Sequence, residues 1–262
     1  MMATLLSLVL VTTTSMLVND YYDLELGRDA PNQRTVPKRI VKRTLQYLYA
    51  LALFTSAVLP GIPARWTVLS GLILTFWYTQ YLKPKTWWKN IACAALIALA
   101  PLTSGLAACA ALASSSSSAL VASPSLIRLT VILFTGILGR EITMDMNDVE
   151  EDEAAGVMTV PVVHGKEYAS RVSFLSSLVV CGLAVTPPLL SFLQQYSARG
   201  ALSMALFLSS WPLALAMLGG TAQVHRAWQV LRTKGKNETV NDRAVNEGLL
   251  TVMLILASFV HR

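Results

Sequence analysis

The first segment whose residue types could carry chemistry comes directly after the first apolar run of the chain. Asn19, Asp20 and Asp23 lie within five positions there, followed by Glu25 and Asp29. Residues three or four apart share one face of a helix, so Asp20 and Asp23 are predicted to project together, with Asn19 beside them. Carboxylates held this close repel one another, and the segment is therefore predicted to bind cations.

A second acidic segment begins 125 residues after Asp20, again at the end of an apolar run. Asp145, Asp148 and Asp152 follow the i, i+3, i+7 spacing of a single helical stripe. Their hard oxygen ligands suit Mg²⁺, which bridges protein carboxylates to substrate phosphates. Two such stripes facing each other would hold magnesium ions and a diphosphate between them. The metals would neutralise the charge that develops as the diphosphate departs.

The composition of the chain is that of a membrane protein. Hydrophobic residues make up 54% of its 262 residues and charged residues only 14%, and the mean hydropathy is +0.52. Soluble domains carry about a quarter charged residues. The formal net charge of +6 comes from basic residues between apolar runs, so it predicts contact with anionic lipid headgroups and no nucleic-acid partner.

The apolar runs predict the fold class. Crossing a bilayer core of about 30 Å takes roughly 17–25 apolar residues. Eight stretches are predicted as spans, at 2–18, 45–60, 66–82, 91–112, 126–143, 172–193, 201–220 and 247–260. The sequence therefore predicts an all-α, polytopic membrane helix bundle of about eight transmembrane helices. These helices are expected to form a single membrane-embedded domain over residues 1–262.

The loops between these runs have a strong charge asymmetry. If loops alternate sides, 17 of the 21 Lys and Arg residues fall on one side, in segments 19–44, 83–90, 140–171 and 221–246. This side is therefore predicted to face inward. All 15 acidic residues fall there too, although the positive-inside rule makes no demand of Asp and Glu. Solvated loop carboxylates are the plainer explanation, but helical spacing next to apolar runs favours a site that uses carboxylates.

The two motifs and their surroundings resemble those of the UbiA superfamily of intramembrane prenyltransferases. Asn19-Asp20-x-x-Asp23 resembles the first Asp-rich motif of that family, and Asp145-x-x-Asp148-x-x-x-Asp152 resembles the second. The resemblance extends over residues 5–171. Its other matching positions are Arg34 and Val36-Pro37, then Tyr78, Lys83 and Asn90, and finally Gly156, Thr159-Val160-Pro161 and Gly165-Lys166.

This resemblance implies a polyprenyl transfer from the prenyl diphosphate to an acceptor molecule, with Mg²⁺ as the cofactor. It implies metal binding by six carboxylates: Asp20, Asp23, Asp29, Asp145, Asp148 and Asp152. It implies substrate binding by Asn19, Arg34, Lys83, Asn90 and Arg140. Catalytic roles fall to Tyr78, whose ring would shield the allylic cation, and to Asp20, Asp23, Asp145 and Asp148.

Several of these residues have a structural alternative. Arg34, Lys83 and Arg140 are equally explained as anchors at the inner membrane surface. For Arg140, an ion pair with Glu141 or Asp145 is a further alternative. For Tyr78 the alternative is packing in the helix core.

The chain also departs from the family pattern. Gly27 stands where the family commonly has a third Asp, and Asp29 is expected to take that part, a variant that favours an aromatic, quinone-type acceptor. The family usually has one more helix before its first motif, nine in all, so an N-terminal truncation is expected, and with it weak activity unless the chain is extended upstream. A multi-pass location in a plastid, mitochondrial or bacterial-type inner membrane fits this class.

Two other classes compete with this interpretation. CDP-alcohol phosphotransferases also use Asp pairs at a membrane face, but they have the string D-G-x-x-A-R within one motif, which this chain lacks. A divalent-cation channel or transporter would place carboxylates along its pathway, and none of the predicted spans carries one at mid-bilayer.

Overall fold

The computed structural model describes residues 2–25, 37–113, 123–199 and 210–259, and these residues form helices joined by turns. A π-helical turn at Tyr78–Leu82 lies between the third and fourth helices. The α-helices of the described part are α1 (Met2–Glu25), α2 (Lys38–Ala57), α3 (Ile62–Trp77), α4 (Thr86–Ala113), α5 (Pro124–Asp145), α6 (Val149–Ala154), α7 (Val160–His164), α8 (Lys166–Arg199), α9 (Trp211–Arg232) and α10 (Glu238–Ala257). The predicted all-α class is confirmed for these residues.

The chain divides into two compact units. The first comprises Met1–Thr130 with Ala155–Val157, and the second comprises Val131–Ala154 with Met158–Arg262. The first acidic motif belongs to the first unit, and the second motif up to Ala154 belongs to the second. A single domain over residues 1–262 remains a prediction.

In the first unit, α1 packs against α2 and α3, and α3 packs against α4. One buried cluster of this unit lies just before the first motif, where Val18 of α1 meets Val41 and Leu45 of α2. Tyr21 and Tyr22 pack onto this cluster. These contacts hold the last turns of α1, which carry Asn19 and Asp20, against a neighbouring helix.

In the second unit, α9 packs against both α8 and α10. Two consecutive glycines of α9 permit this close approach. A Cβ atom on Gly219 would lie 2.8 Å from the backbone oxygen of Thr251 in α10, and one on Gly220 would lie 2.8 Å from Sγ of Cys181 in α8. In lipid, helices associate through packing, and small residues let their backbones come together.

Each predicted span overlaps a helix of the described part, although several helices extend beyond the span that predicted them. Of the span predicted at 201–220, residues 201–209 lie outside the described part. By length and composition, three helices of the described part could cross a membrane: Met2–Tyr22, Thr86–Leu112 and Lys166–Ala198. The number of eight spans remains a prediction.

The prediction of a long inner loop at 221–246 is wrong. Helix α9 continues to Arg232 and α10 begins at Glu238, so only residues 233–237 connect them. The side chain of Asn237 caps α10 by accepting a hydrogen bond from the backbone N–H of Val240, at 3.2 Å. Hydropathy marks where the apolar run ends, whereas the helix itself continues past that point with polar and charged residues.

Candidate active site

The first motif occupies the last turns of α1. Asn19 and Asp20 are both half-buried. The Lys83 ammonium group donates a hydrogen bond to Oδ1 of Asn19, with Nζ and Oδ1 3.3 Å apart. The structure thus brings two of the predicted residues together and places a cation beside the first carboxylate motif. The side chain of Asp23 and the whole of Asp29 and Arg34 lie outside the described residues.

The π-helical turn positions Lys83. The backbone N–H of Lys83 donates to the carbonyl of Tyr78 at 2.7 Å, which closes the wider turn, and such turns are frequent at functional sites. Tyr78 is half-buried, and its hydroxyl oxygen accepts a hydrogen bond from Cys93 Sγ at 3.2 Å. Asn90, on α4, is fully buried. These predicted residues therefore lie on two consecutive elements of the first unit.

The second motif is not the single helical stripe that its spacing predicts. Helix α5 ends at Asp145, a turn follows, and the backbone carbonyl of Asp148 accepts the first hydrogen bond of α6, from the N–H of Asp152 at 2.8 Å. Asn and Asp favour turns because their side chains compete for backbone hydrogen bonds, and Asn147 and Asp148 stand at this break. As a result Asp145 is buried, Asp152 is half-buried and Asp148 is exposed.

An open cleft of about 610 Å³ lies beside this turn, within the second unit. Five carboxylates and two cationic side chains line it, namely Asp148, Glu150, Glu151, Glu238, Asp242, Arg140 and Lys166. The excess of negative charge favours cations, while the two basic groups suit phosphate oxygens. Arg140 also donates from Nη1 to Oε1 of Glu141 at 3.0 Å, so the ion pair foreseen for it with Glu141 is confirmed.

Sequence analysis missed the contribution of α10 to this cleft. Asn147 donates from Nδ2 to Oδ1 of Asp242 at 2.7 Å. Asn241, which is fully buried, donates to Oδ1 of Asn147 at 2.8 Å and to the carbonyl of Gly235 at 3.0 Å. These bonds tie the turn of the second motif to the start of α10. One feature of the sequence could have indicated this contribution: Glu238 and Asp242 are among the acidic residues predicted to lie on the inner side.

We expect Asn241→Ala to destabilise the turn of the second motif. The substitution removes two hydrogen bonds of a buried side chain, which is expected to lower the free energy of unfolding by about 1–3 kcal/mol. The thermal midpoint of the purified protein in detergent measures this. Thr239→Ala, an exposed position in the first turn of the same helix, is the matched control. An equal midpoint for the two variants would contradict the role given to Asn241.

The chemistry of these side chains fits magnesium. Mg²⁺ is usually bound by one or two protein carboxylates, with substrate phosphates and waters completing its octahedron. Among the side chains that the structure describes, no group of three or more His, Cys, Asp or Glu residues is close enough to hold a metal by itself. Sites that share the ion with a diphosphate need no such group.

Comparison with known proteins identifies the family. The profile of the UbiA prenyltransferase family matches residues 1–241. A digeranylgeranylglyceryl phosphate synthase from Pyrococcus abyssi is 31% identical over 164 residues, which cover 60% of this chain and 53% of that protein. The chain thus spans about half the length of this curated relative.

Solved structures share the fold. One comes from work on digeranylgeranylglyceryl phosphate synthase in membranes, and it superposes on this chain with a TM-score of 0.74 at 17% sequence identity. The match covers 98% of this chain and 83% of that one. A UbiA homologue from Archaeoglobus fulgidus, bound to GPP and Mg²⁺, covers 98% of this chain and has 87% of its own length covered, with a TM-score of 0.62 at 18% identity.

The chain therefore belongs to the UbiA prenyltransferase family. It is a multi-pass integral membrane protein of that fold. The family assignment sets aside the CDP-alcohol phosphotransferase class and favours an enzyme over a cation channel.

Proposed function

We propose that the protein is a magnesium-dependent prenyltransferase that moves a prenyl group from its diphosphate to a hydroxyl group of a glyceryl phosphate acceptor. The observation that carries the proposal is the cleft of the second unit, where carboxylates and two cationic side chains surround an opening of about 610 Å³. The family supplies the reaction class, and the cleft supplies the groups that the reaction needs.

The cleft provides two kinds of binding group. Asp148 and its neighbouring carboxylates are the ligands for magnesium, which when bound supplies positive charge to the departing diphosphate. Arg140 and Lys166 donate charge-assisted hydrogen bonds to the phosphate oxygens. In the transfer, the C1–O bond of the prenyl diphosphate breaks and diphosphate leaves with the bonding electrons. The acceptor oxygen then bonds to C1 and loses its proton.

The first unit, taken by itself, also carries groups suited to this kind of chemistry. Lys83, held at 3.3 Å by Asn19, is a cation for phosphate oxygens beside Asp20. Tyr78 presents a ring that stabilises positive charge on the allylic carbon. Apolar helices around these groups exclude water, which would otherwise capture the cation.

The names of the relatives support one choice of acceptor over the other. The quinone-type acceptor that Gly27 and Asp29 favour has no support among the reported relatives, because the curated relative from Pyrococcus abyssi is named for the synthesis of a glyceryl phosphate lipid. The solved structure with the TM-score of 0.74 carries the same name. We therefore assign a glyceryl phosphate acceptor in preference to an aromatic one.

The test is transfer by the purified chain in nanodiscs. Tritiated geranylgeranyl diphosphate is supplied with Mg²⁺ and either geranylgeranylglyceryl phosphate or 4-hydroxybenzoate. We expect a labelled lipid product with the glyceryl phosphate and background counts after EDTA is added. A product with the aromatic acceptor alone would overturn the acceptor assignment, and turnover that persists in EDTA would overturn the magnesium-dependent mechanism.

A further inference from the structure

A second, smaller cavity adjoins the acidic cleft within the second unit. It has a volume of about 70 Å³ and is lined by residues of α5, α8, α9 and α10. Arg140 and Val245 line both this cavity and the cleft. Its size leaves room for one small polar group and not for a prenyl chain.

Arg226 of α9 contributes a guanidinium group to the wall of this cavity. Its side chain is only 17% exposed, and its Nε donates to Oε2 of Glu247 at 2.9 Å. Its Nη1 is buried and has no hydrogen-bond partner among the residues that the structure describes. A buried N–H group without an acceptor is costly, so this position favours an acceptor from outside the chain.

Arg140 of α5, which lines the same cavity, also has one guanidinium nitrogen in an ion pair and another that is buried. Its Nη1 donates to Glu141, whereas its Nε is buried and finds no acceptor within the described part of the chain. The hydroxyl groups of Thr143 and Ser173, which lie 2.8 Å apart, belong to the same wall. One anion with several oxygens would satisfy both guanidinium groups at once, because guanidinium forks match phosphate geometry.

The position of Arg226 argues against a plain surface anchor. It lies six residues before Arg232, the last residue of α9, which is about 9 Å along the helix axis. An anchoring Arg extends its charged end to water, but here one end of the guanidinium group is buried.

We infer that this cavity binds the phosphate group of the acceptor, with Arg226 and Arg140 as its hydrogen-bond donors. The inference rests on the proposed function for the identity of the acceptor. The two substrates differ in the groups that bind them. The diphosphate of the donor lies with the metal-binding carboxylates and Lys166, and the phosphate monoester of the acceptor lies with Arg226, while Arg140 lines both the cleft and the cavity and donates to both.

The experiment measures binding in the absence of donor and metal. Wild-type protein in nanodiscs is titrated with geranylgeranylglyceryl phosphate and with geranylgeranylglycerol, which lacks the phosphate. We expect the phosphate to tighten binding in the wild type, and we expect Arg226→Gln to reduce that advantage by about 10- to 100-fold, as for hydrogen bonds to a charged group. Glu247→Gln is the matched control, because it breaks the same ion pair but keeps Arg226, and it should retain the advantage.

Each other outcome is decisive. An equal loss in Glu247→Gln and Arg226→Gln would trace the effect to the ion pair and overturn the inference. Arg226-dependent binding of inorganic diphosphate, without such binding of the glyceryl phosphate, would assign the cavity to the donor and also overturn it. Because no turnover is involved, a chain that fails to transfer prenyl groups but shows the Arg226-dependent advantage would refute the proposed function and still support the phosphate site.

Discussion

Asp148→Asn and Asp20→Asn are each expected to lower the rate of prenyl transfer by about 10²- to 10³-fold, the loss seen when a group that stabilises developing charge is removed. The same is expected of Asp145→Asn and Asp23→Asn. The change from carboxylate to amide keeps the size of each side chain but removes the negative charge that magnesium needs. Transfer of label from tritiated geranylgeranyl diphosphate measures the rate.

The design separates catalysis from folding. Asp145 is 3% exposed, so an alanine there would leave a cavity, and the isosteric Asn variant avoids this. Asp148 is exposed, so its substitution should leave the thermal midpoint unchanged. Glu153→Gln, exposed and five residues further along the same segment, is the control and should keep the wild-type rate. Wild-type rates in the Asp20 and Asp148 variants would show that these carboxylates do not bind the metal.

The sequence was informative where a single physical constraint acts along the chain. A helix that crosses lipid needs a long apolar run, so the positions of most helices followed from hydropathy. Carboxylates are rare in such a chain, and their grouping at Asp20 and Asp145 indicated a site. The resemblance to the UbiA family, carried by the same motifs, is confirmed by the match over residues 1–241.

Features that depend on competition between local and distant contacts were not predictable. The spacing of Asp145 and Asp148 fits an unbroken helix, but Asn147 bonds to Asp242 of α10 in a turn instead. Arg226 was assigned to an inner loop because the apolar run ends before it. The helix continues past it, and a guanidinium group counted as a topology signal thereby lines a cavity. Predicting the turn at Asn147 or the cavity at Arg226 requires knowing which helix packs against each residue. The spacing of residues along the chain does not give that information.

The helix packing that builds this second unit yields the other large expected effect. Gly219→Ala is expected to destabilise the protein, because its Cβ would lie 2.8 Å from the backbone oxygen of Thr251 and 2.9 Å from Cγ1 of Ile255. A backbone oxygen cannot rotate away, so α9 and α10 must separate. Overpacking of this kind costs about 1–3 kcal/mol, and the thermal midpoint in detergent should fall accordingly.

Gly182→Ala is the matched control, because the same change from glycine to alanine should there raise the thermal midpoint instead of lowering it. Gly182 lies within α8, and a Cβ added to it meets no atom of the described residues within 4 Å. In a helix without steric conflict, Ala is more stable than Gly by about 0.5–1 kcal/mol, since the unfolded chain loses less freedom. The midpoint of Gly182→Ala should therefore rise while that of Gly219→Ala falls. If both rise together, α9 does not pack against α10 as closely as described, and the wall that carries Arg226 opposite Glu247 would have to be placed differently.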